Sequence, residues 1–361
     1  MALIAALSAA SLFAVIYLTR RTHRFSFLLK LSQQHRVLSW VLSLVPVAIC
    51  LCFLRKNLFT MFVVTVHLLV FWLVCDLVGR IVRKIRKKPW TRNWSGAAAI
   101  VITVVYLGIG LFFGYHVFEK DYSFTTAKDL GESLRIVEIA DSHLGATLNG
   151  ERFAAAMDKL QKTEPDAVVV VGDFVDDDSS REDMLAACRA LGQLKTTYGV
   201  YFVYGNHDKG YFNYRNFSVA ELLAALEENH VTVMEDEAIL VDGRFYLIGR
   251  QDRSAWGRAD MQTLTAGLDA SKYMILLDHQ PNDYDSEQQA GVDLVLSGHT
   301  HGGHIWPVGQ LATMGGLNDQ LYGTERRGET DFVVTSGISA WAIPFKTGCI
   351  SEFVVIDILP E

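Results

Sequence analysis

Residues 297–307 read SGHTHGGHIWP and place His299, His301 and His304 within six residues, among glycines and ahead of a proline. A stretch this short and glycine-rich is expected to form a loop rather than a helix. It is one of five places where an apolar run stops at acids, amides or histidines; the others are IADSH (139–143), VGDFVD (171–176), YGNHD (204–208) and LDHQ (277–280). Together these ends offer Asp141, His143, Asp173, Asn206, His279, His299 and His301. They are oxygen and imidazole donors without sulfur, a set that suits Mn, Fe, Zn or a similar divalent ion. Seven donors are too many for one tetrahedral ion and suit two ions that share a bridging carboxylate. Where the chain is extended, Asp141 and His143 face the same way, as do His299 and His301. Gly172, Gly205 and Gly298 each precede a donor, where the backbone must turn or approach closely. A lone histidine such as His279 is ordinarily a satisfied core or surface residue. Its place after YMILLD, with four other such ends in the chain, favours a ligand.

The elements that carry these ends alternate. LRIVEIAD, DAVVVVGD and GVYFVYGNHD read as strands, and ERFAAAMDKLQK, REDMLAACRALGQLK and SVAELLAALEEN carry apolar residues at helical spacing. Ser218 and Glu221 have capping-box spacing. From about residue 231 strands dominate: VTVME, AILVDG, RFYLIG, YMILLDH, DLVLSGH, DFVVTSG and CISEFVVIDI. The pattern is that of an α/β domain with a sheet core flanked by helices. In open α/β sheets the ligand site lies beyond the carboxyl ends of the strands, so five such ends can meet in one crevice.

In that order, DSH (141–143), GDFVD (172–176), GNHD (205–208), the histidine of LDHQP (277–281) and GHTH (298–301) resemble the calcineurin-like metallophosphoesterases, over essentially all of residues 134–305. Each block alone is weak; five in the family's order are specific. The tail GHTHGG…P, with apolar segments N-terminal to the domain, is similar to a membrane-anchored branch of bacterial type. The resemblance implies a four-layer α-β-β-α sandwich, and hydrolysis of phosphate mono- or diesters or pyrophosphates by a hydroxide bridging two divalent metal ions. Carried over by position, it implies that Asp141, His143 and His301 hold the first ion, that Asn206, His279 and His299 hold the second, and that Asp173 bridges them. His207 would sit at the phosphate without binding metal, offsetting developing charge or protonating the leaving oxygen, and Asp208 would fix its ring. Asp176 completes the family's GDxxD as an outer residue rather than a ligand. Some members of that branch or its neighbours act on UDP-diacylglucosamine and others on cell-envelope phosphates, which implies a phosphorylated lipid or envelope substrate.

Beyond the resemblance, Asp176, Asp177 and Asp178 read as a solvated turn before the next helix, with Ser179 or Ser180 as its cap. His304 stands where that branch more often has Gln. Contact with substrate or metal and an outer hydrogen bond are both open to it, with the second favoured. Tyr211, Phe212 and Tyr214, and Arg250, Arg253 and Trp256, follow strand ends and read equally as a recognition rim or as loop packing. Cys188 and Cys349 are the only pair available outside the apolar segments; they read as a disulfide or, at least as readily, as two separate thiols.

Charge divides the chain. Residues 1–118 carry 14 Lys/Arg and one acid, Asp76, a balance of +13; with a total of −7, residues 119–361 hold −20, from 19 basic and 39 acidic residues. Four apolar stretches, about 2–18, 37–54, 58–79 and 96–118, approach or exceed the roughly 20 residues that cross a bilayer as a helix. The expected organisation is therefore an all-α bundle of four transmembrane helices over 1–118, a linker over 119–133 and the metallophosphoesterase domain over 134–361. No basic residue precedes the first stretch, and Arg20, Arg21 and Arg24 follow it, so it reads as a retained helix rather than a signal peptide. The loops after the first and third stretches are the basic ones. That sets them in the cytoplasm and the C-terminal domain on the far side of a plasma or inner membrane. The opposite topology would suit a UDP-diacylglucosamine-type lipid pyrophosphatase at the cytoplasmic face. A non-catalytic four-helix sensor or transporter would show lost ligands or more polar spans, and the sequence has neither feature. Asp76, one turn before Arg80, and His67, without an obvious partner, are the notable polar groups of the stretches. The juxtamembrane basic clusters suit anionic lipid headgroups, and with an acidic C-terminal part they argue against a nucleic-acid partner.

Overall fold

The computed structural model describes residues 2–88, 90, 92–212 and 214–361, with residues 2–10 as backbone only. The helices of the first part are α1 (Ala2–Thr22), α2 (Ser26–Gln34), α3 (Arg36–Ser43), α4 (Val45–Cys52), α5 (Leu58–Arg86) and α6 (Trp94–Tyr115). The chain divides into two compact units, Met1–Ile109 and Gly110–Glu361.

Among the described residues, three helical stretches are long and apolar enough to cross a membrane: Arg36–Arg55, Leu58–Arg86 and Trp94–Tyr115. The first of the four expected spans falls on α1, where the side chains of residues 2–10 lie outside the described residues, so three are counted and not four. Large apolar side chains of these stretches, Val37, Ile85 and Val104 among them, are exposed, as suits helices solvated by lipid. Asp76 is buried and pairs with Arg21 and with the Tyr17 hydroxyl (2.5 Å), not with Arg80 as spacing suggested. His67 has a partner one turn back: its Nδ1 lies 2.8 Å from the Val63 carbonyl, and its ring is stacked 5.5 Å from Tyr106.

The second unit carries β1 (Val117–Thr126), β2 (Leu134–Ile139), β3 (Ala167–Val171), β4 (Val200–Val203), β5 (Val231–Val233), β6 (Glu237–Val241), β7 (Phe245–Gly249), β8 (Tyr273–Leu277), β9 (Leu294–Ser297), β10 (Gly323–Arg327), β11 (Thr330–Val334) and β12 (Ser351–Pro360). Its helices are α7 (Gly150–Leu160), α8 (Arg181–Gly192), α9 (Val219–Glu228), α10 (Met261–Thr265), α11 (Tyr284–Gln289) and α12 (Val308–Met314). The strands form two six-stranded mixed sheets, in the orders β1-β12-β2-β3-β4-β5 and β10-β11-β9-β8-β7-β6.

The unbroken apolar runs explain the layering. A strand with one wet face alternates, whereas a strand covered on both faces need not. In β3, Val168 and Val170 pack with Phe153, Leu191 and Leu222 of α7, α8 and α9. The alternate residues Ala167, Val169 and Val171 pack with Leu247, Ile275 and Leu296 of the other sheet. In β8, Ile275 and Leu277 join that shared core, while Met274 and Leu276 meet Met261 of α10 and Tyr284 of α11. Helices, sheet, sheet and helices thus follow one another. The Ser180 side chain caps α8 by accepting from the Asp183 N–H, and the expected Ser218–Glu221 box caps α9.

The expected linker over 119–133 is largely strand. β1 pairs in parallel with β12, from Val117 beside Ser351 to Thr126 beside Pro360. Glu119, Asp121, Ser123 and Thr125 are exposed and alternate with half-buried Lys120, Tyr122 and Phe124. That is the pattern of a polar edge strand, in which charge also discourages pairing with other chains. Cys188 and Cys349 are separate free thiols: Cys188 is buried in the core, and the Cys349 thiol donates to the His301 carbonyl at 2.8 Å.

Candidate metal centre

Every expected donor lies just past a strand's carboxyl end. Asp141 and His143 follow β2, Asp173 follows β3, Asn206 to Asp208 follow β4, His279 follows β8, and His299 and His301 follow β9. Two clusters result. The ligand atoms of Asp141, His143 and His301 all lie within 4.8 Å of one another, and so do those of Asp173, His279 and His299.

They do not converge by the extended-chain geometry expected from the i, i+2 spacing. Asp141, His143, Asp173, His299 and His301 have φ of 55°, 35°, 52°, 69° and 49°, and His301–Gly303 forms a single 3₁₀ turn instead of open loop. Non-glycine residues rarely hold such angles, and where they do the surrounding structure over-determines them. Glycine before a donor reflects crowding: a Cβ on Gly205 would lie 2.3 Å from Asp173 Oδ1, and one on Gly298 would lie 2.6 Å from Asp141 Oδ2.

In the first cluster His143 Nε2 and His301 Nε2 are 3.2 Å apart, at 3.9 and 3.7 Å from Asp141 Oδ1. Asp173 Oδ2 stands between the clusters, 3.5 Å from His143 Nε2 and 3.1 Å from His279 Nε2, while its Oδ1 accepts the His207 N–H at 2.8 Å. His143 Nδ1 is bonded to Asp176 Oδ2 (3.1 Å) and His279 Nδ1 to the Val171 carbonyl (2.8 Å). Those outer bonds leave each ring's Nε2 as the nitrogen offered inward. Asn206 donates from Nδ2 to the Tyr211 hydroxyl at 2.9 Å, and its Oδ1 is buried with no hydrogen-bond partner. Opposed imidazole nitrogens, a carboxylate shared between two clusters and an orphaned amide oxygen together fit divalent cations, because unpaired lone pairs buried at this density are otherwise costly.

Burial and mutual charge set the protonation states such ions would meet. Burial, opposed by the charge of His279 and reinforced by that of Asp173, raises Asp141 to about 6. Burial alone would raise Asp173 too, but the charge and hydrogen bond of His279 hold it far below the carboxylate range. Burial would lower His279, yet the Asp173 charge and hydrogen bond raise it well above an ordinary histidine. Burial and the His279 charge lower His299 to about 4. At neutral pH His299 is therefore ready to ligate, whereas His279 must first lose a proton. Metal uptake is expected to release that proton, so Mn²⁺ affinity should rise with pH, about tenfold per unit, until pH passes the raised pKa of His279. Calorimetric titration in buffers of different ionisation enthalpy reads the released proton, and a pH-independent affinity would oppose this assignment.

His207 lies beside the first cluster, its ring 5.0 Å from that of His143. Its Nδ1 is bonded to Asp176 Oδ1 at 3.0 Å, and the expected partner, Asp208, does something else. Asp208 is fully buried and accepts the N–H groups of Asp173 (2.8 Å), Gly205 (2.7 Å) and Val175 (3.0 Å), tying together the loops after β3 and β4. Asp176, expected as an outer residue within a solvated turn, is the hub. It takes His143 and His207 Nδ1, and its Oδ2 also accepts the Trp341 indole N–H at 3.0 Å. Burial would raise Asp176, but the two histidine hydrogen bonds pull it far below its usual range. Burial would lower His207, but the Asp176 bond and the surrounding carboxylates leave it raised. Of Asp176, Asp177 and Asp178 only the last is exposed; Asp177 accepts the N–H groups of Tyr211 and Phe212.

His304 makes an outer bond, its Nε2 3.1 Å from the Ile343 carbonyl, and burial lowers it to about 3. Tyr211 orients Asn206 and stacks edge-on with His207, whereas Phe212 and Tyr214 stack on each other in solvent. Arg250 is buried and occupied by Asp278 (3.1 Å) and Asp283 (2.8 Å), and Trp256 is fully exposed. Trp341 was not foreseen: its segment, SGISAWAIPF, carries no spacing that points to a site.

Residues 134–303 match the family described as calcineurin-like phosphoesterase. Over 238 residues the chain is 31% identical to a protein of Helicobacter pylori named an uncharacterized metallophosphoesterase, covering 64% of this chain and 61% of that one. Over 232 residues it is 33% identical to a transmembrane protein with metallophosphoesterase domain of Danio rerio, covering 61% of this chain and 52% of that one. Over 202 residues it is 33% identical to an uncharacterized metallophosphoesterase of Aquifex aeolicus, covering 54% of this chain and 74% of that one. The chain thus spans about three fifths of the Helicobacter protein's length and about half of the Danio protein's.

Proposed function

The chain belongs to the calcineurin-like phosphoesterase family, and on that premise we propose that it is a membrane-anchored phosphoesterase working with two divalent metal ions. Asp173 carries the reading: its Oδ2 stands between the two clusters, at 3.5 and 3.1 Å from their imidazole nitrogens. Asp141, His143 and His301 would hold one ion, Asn206, His279 and His299 the other, with Asp173 shared. Bound there, the ions would supply Lewis acidity to the attacking water and the phosphoryl oxygens.

The remaining work falls to side chains. His207, with Nδ1 committed to Asp176, has Nε2 free to donate to a phosphoryl or leaving oxygen, and its raised pKa favours the protonated form near neutrality. Trp341 and Asp176 hold that ring, and Tyr211 holds Asn206. The apolar helices support an anchor, and an anchor favours phosphorylated lipid or envelope substrates. The basic loops after the first and third apolar stretches favour a catalytic unit outside the cytoplasm. Impermeant labelling of Glu132→Cys in intact cells reads that side; a cysteine reactive only after lysis would reverse it.

The test of the activity uses the full chain in vesicles, stripped of metal and resupplied with Mn²⁺. A model monoester and diester, run in parallel, should show turnover that vanishes on chelation and returns with metal. Turnover indifferent to chelation, or none in a chain loaded with metal, would overturn the reading.

A further inference from the structure

The loop that carries His299, His301 and His304 runs straight into α12. Residues 302–318 contain no Asp, Glu, Lys or Arg. Within them Trp306, Val308, Leu311, Met314 and Leu317 are 58–83% exposed. Val308, Leu311 and Met314, three residues apart, share one face of the helix. The helix is pinned to the ligand loop at Gly309, where a Cβ would meet the Cα of Gly303 at 2.1 Å. A water-facing surface seldom gathers this many large apolar side chains without a partner.

The position of this loop points to a partner for them. Within the Gly110–Glu361 unit, the same loop is bonded to the segment that receives the end of α6. The His304 carbonyl accepts from the Thr347 and Gly348 N–H groups (2.8 and 3.1 Å), and the Trp306 N–H donates to Thr347 Oγ1 (3.1 Å). The Lys346 N–H donates in turn to the Gly110 carbonyl at 2.9 Å. Gly110 and Gly114 make the approach possible: a Cβ on the first would lie 2.8 Å from Thr347 Cγ2, and on the second 2.3 Å from the Pro344 carbonyl oxygen. Only His116 separates α6 from β1, so no tether carries this part of the domain away from the helix end.

We propose that Trp306, Val308, Leu311, Met314 and Leu317 form an element that inserts into the bilayer surface and holds the metal-ligand loop at the headgroup layer. A charge-free apolar face with a tryptophan at its edge suits the headgroup–acyl boundary. A phosphoester borne by an amphiphile in the same leaflet would then reach the site without leaving the bilayer. The inference rests on α6 spanning the membrane and not on the hydrolytic reading.

The test places a bimane fluorophore at Met314→Cys in the full chain, reconstituted in phosphatidylcholine vesicles, with labelled wild type subtracted for the native cysteines. Glu329→Cys, whose parent side chain is 97% exposed, serves as the aqueous reference. Quenching by doxyl-labelled lipid is expected at residue 314 and not at 329, with iodide quenching at 314 roughly threefold weaker than at 329. Equal iodide quenching at both positions would overturn the proposal. Shielding from both quenchers would also overturn it, assigning the face to a protein partner or a second copy. Leu317→Cys repeats the measurement at another exposed position. No arm involves turnover, so the result stands apart from the phosphoesterase assignment.

Discussion

Asp173→Asn is expected to lower metal-dependent ester hydrolysis by about a thousandfold or more, which corresponds to roughly 4 kcal/mol of transition-state stabilisation. The substitution keeps the side chain's shape and leaves an oxygen to accept the His207 N–H. What it removes is the negative charge that faces His143 Nε2 at 3.5 Å and His279 Nε2 at 3.1 Å. Both clusters lose their shared anion at once, so metal content should fall together with turnover, whereas an outer partner's loss is felt by one ligand alone. Elemental analysis beside the rate measurement separates the cases. A variant that retains its metals and a tenth of its turnover would show that Asp173 is not the bridge.

The second large effect separates two aspartates: Asp208, which was expected to fix the His207 ring, and Asp176, which is bonded to it. Asp208→Ala strands three buried N–H groups, those of Asp173, Val175 and Gly205. Each costs about 1–3 kcal/mol, so a loss of roughly 3 kcal/mol or more is expected, or a Tm lower by about 6–12 °C. Asp176→Asn should leave Tm nearly unchanged and slow turnover roughly 10–100-fold. It should also move the pH profile. Asp176 and its neighbours raise the His207 pKa, and a histidine acting as an acid fails as pH rises through that value. Without the Asp176 charge the pKa drops, so activity should begin to fall at a lower pH than in the parent. A profile displaced by Asp208→Asn instead would return the ring-fixing role to Asp208.

The move of the ring-fixing role from Asp208 to Asp176 shows where sequence reading reached and where it stopped. Residue types at strand ends were enough to nominate the donors, because apolar runs such as AVVVV must end where the buried strand ends, and the polar residue that follows faces the crevice. Side-chain direction was not legible. GNHD places Asp208 next to His207 in the chain, but consecutive side chains diverge, so Asp208 reaches backbone while Asp176 reaches the ring. The i, i+2 argument expected each pair to face one way in extended chain, but five of the donors sit in left-handed turns, and only Asp141 and His143 share a cluster while His299 and His301 fall in different ones. Trp341 is set by a long loop's path, which no local pattern encodes. β1 was misread because Glu119, Lys120 and Asp121 look like a solvated connector, although the alternation that makes a polar edge strand was present. GTERR, the polar edge strand of the second sheet, was missed for the same reason.

Pairing of β1 with β12 has a consequence for how the chain is made. Val117 leaves the ribosome early, just behind the last apolar helix, while its partner Ser351 is still more than two hundred residues from synthesis. Until that partner arrives, β1 is an unpaired strand directly behind an apolar helix, and the edge of its sheet cannot close. Maturation of this domain therefore waits on a contact this distant and not on its locally compact helices, so slow elongation through residues 351–360 should prolong the interval in which proteases and chaperones can reach the unfinished sheet.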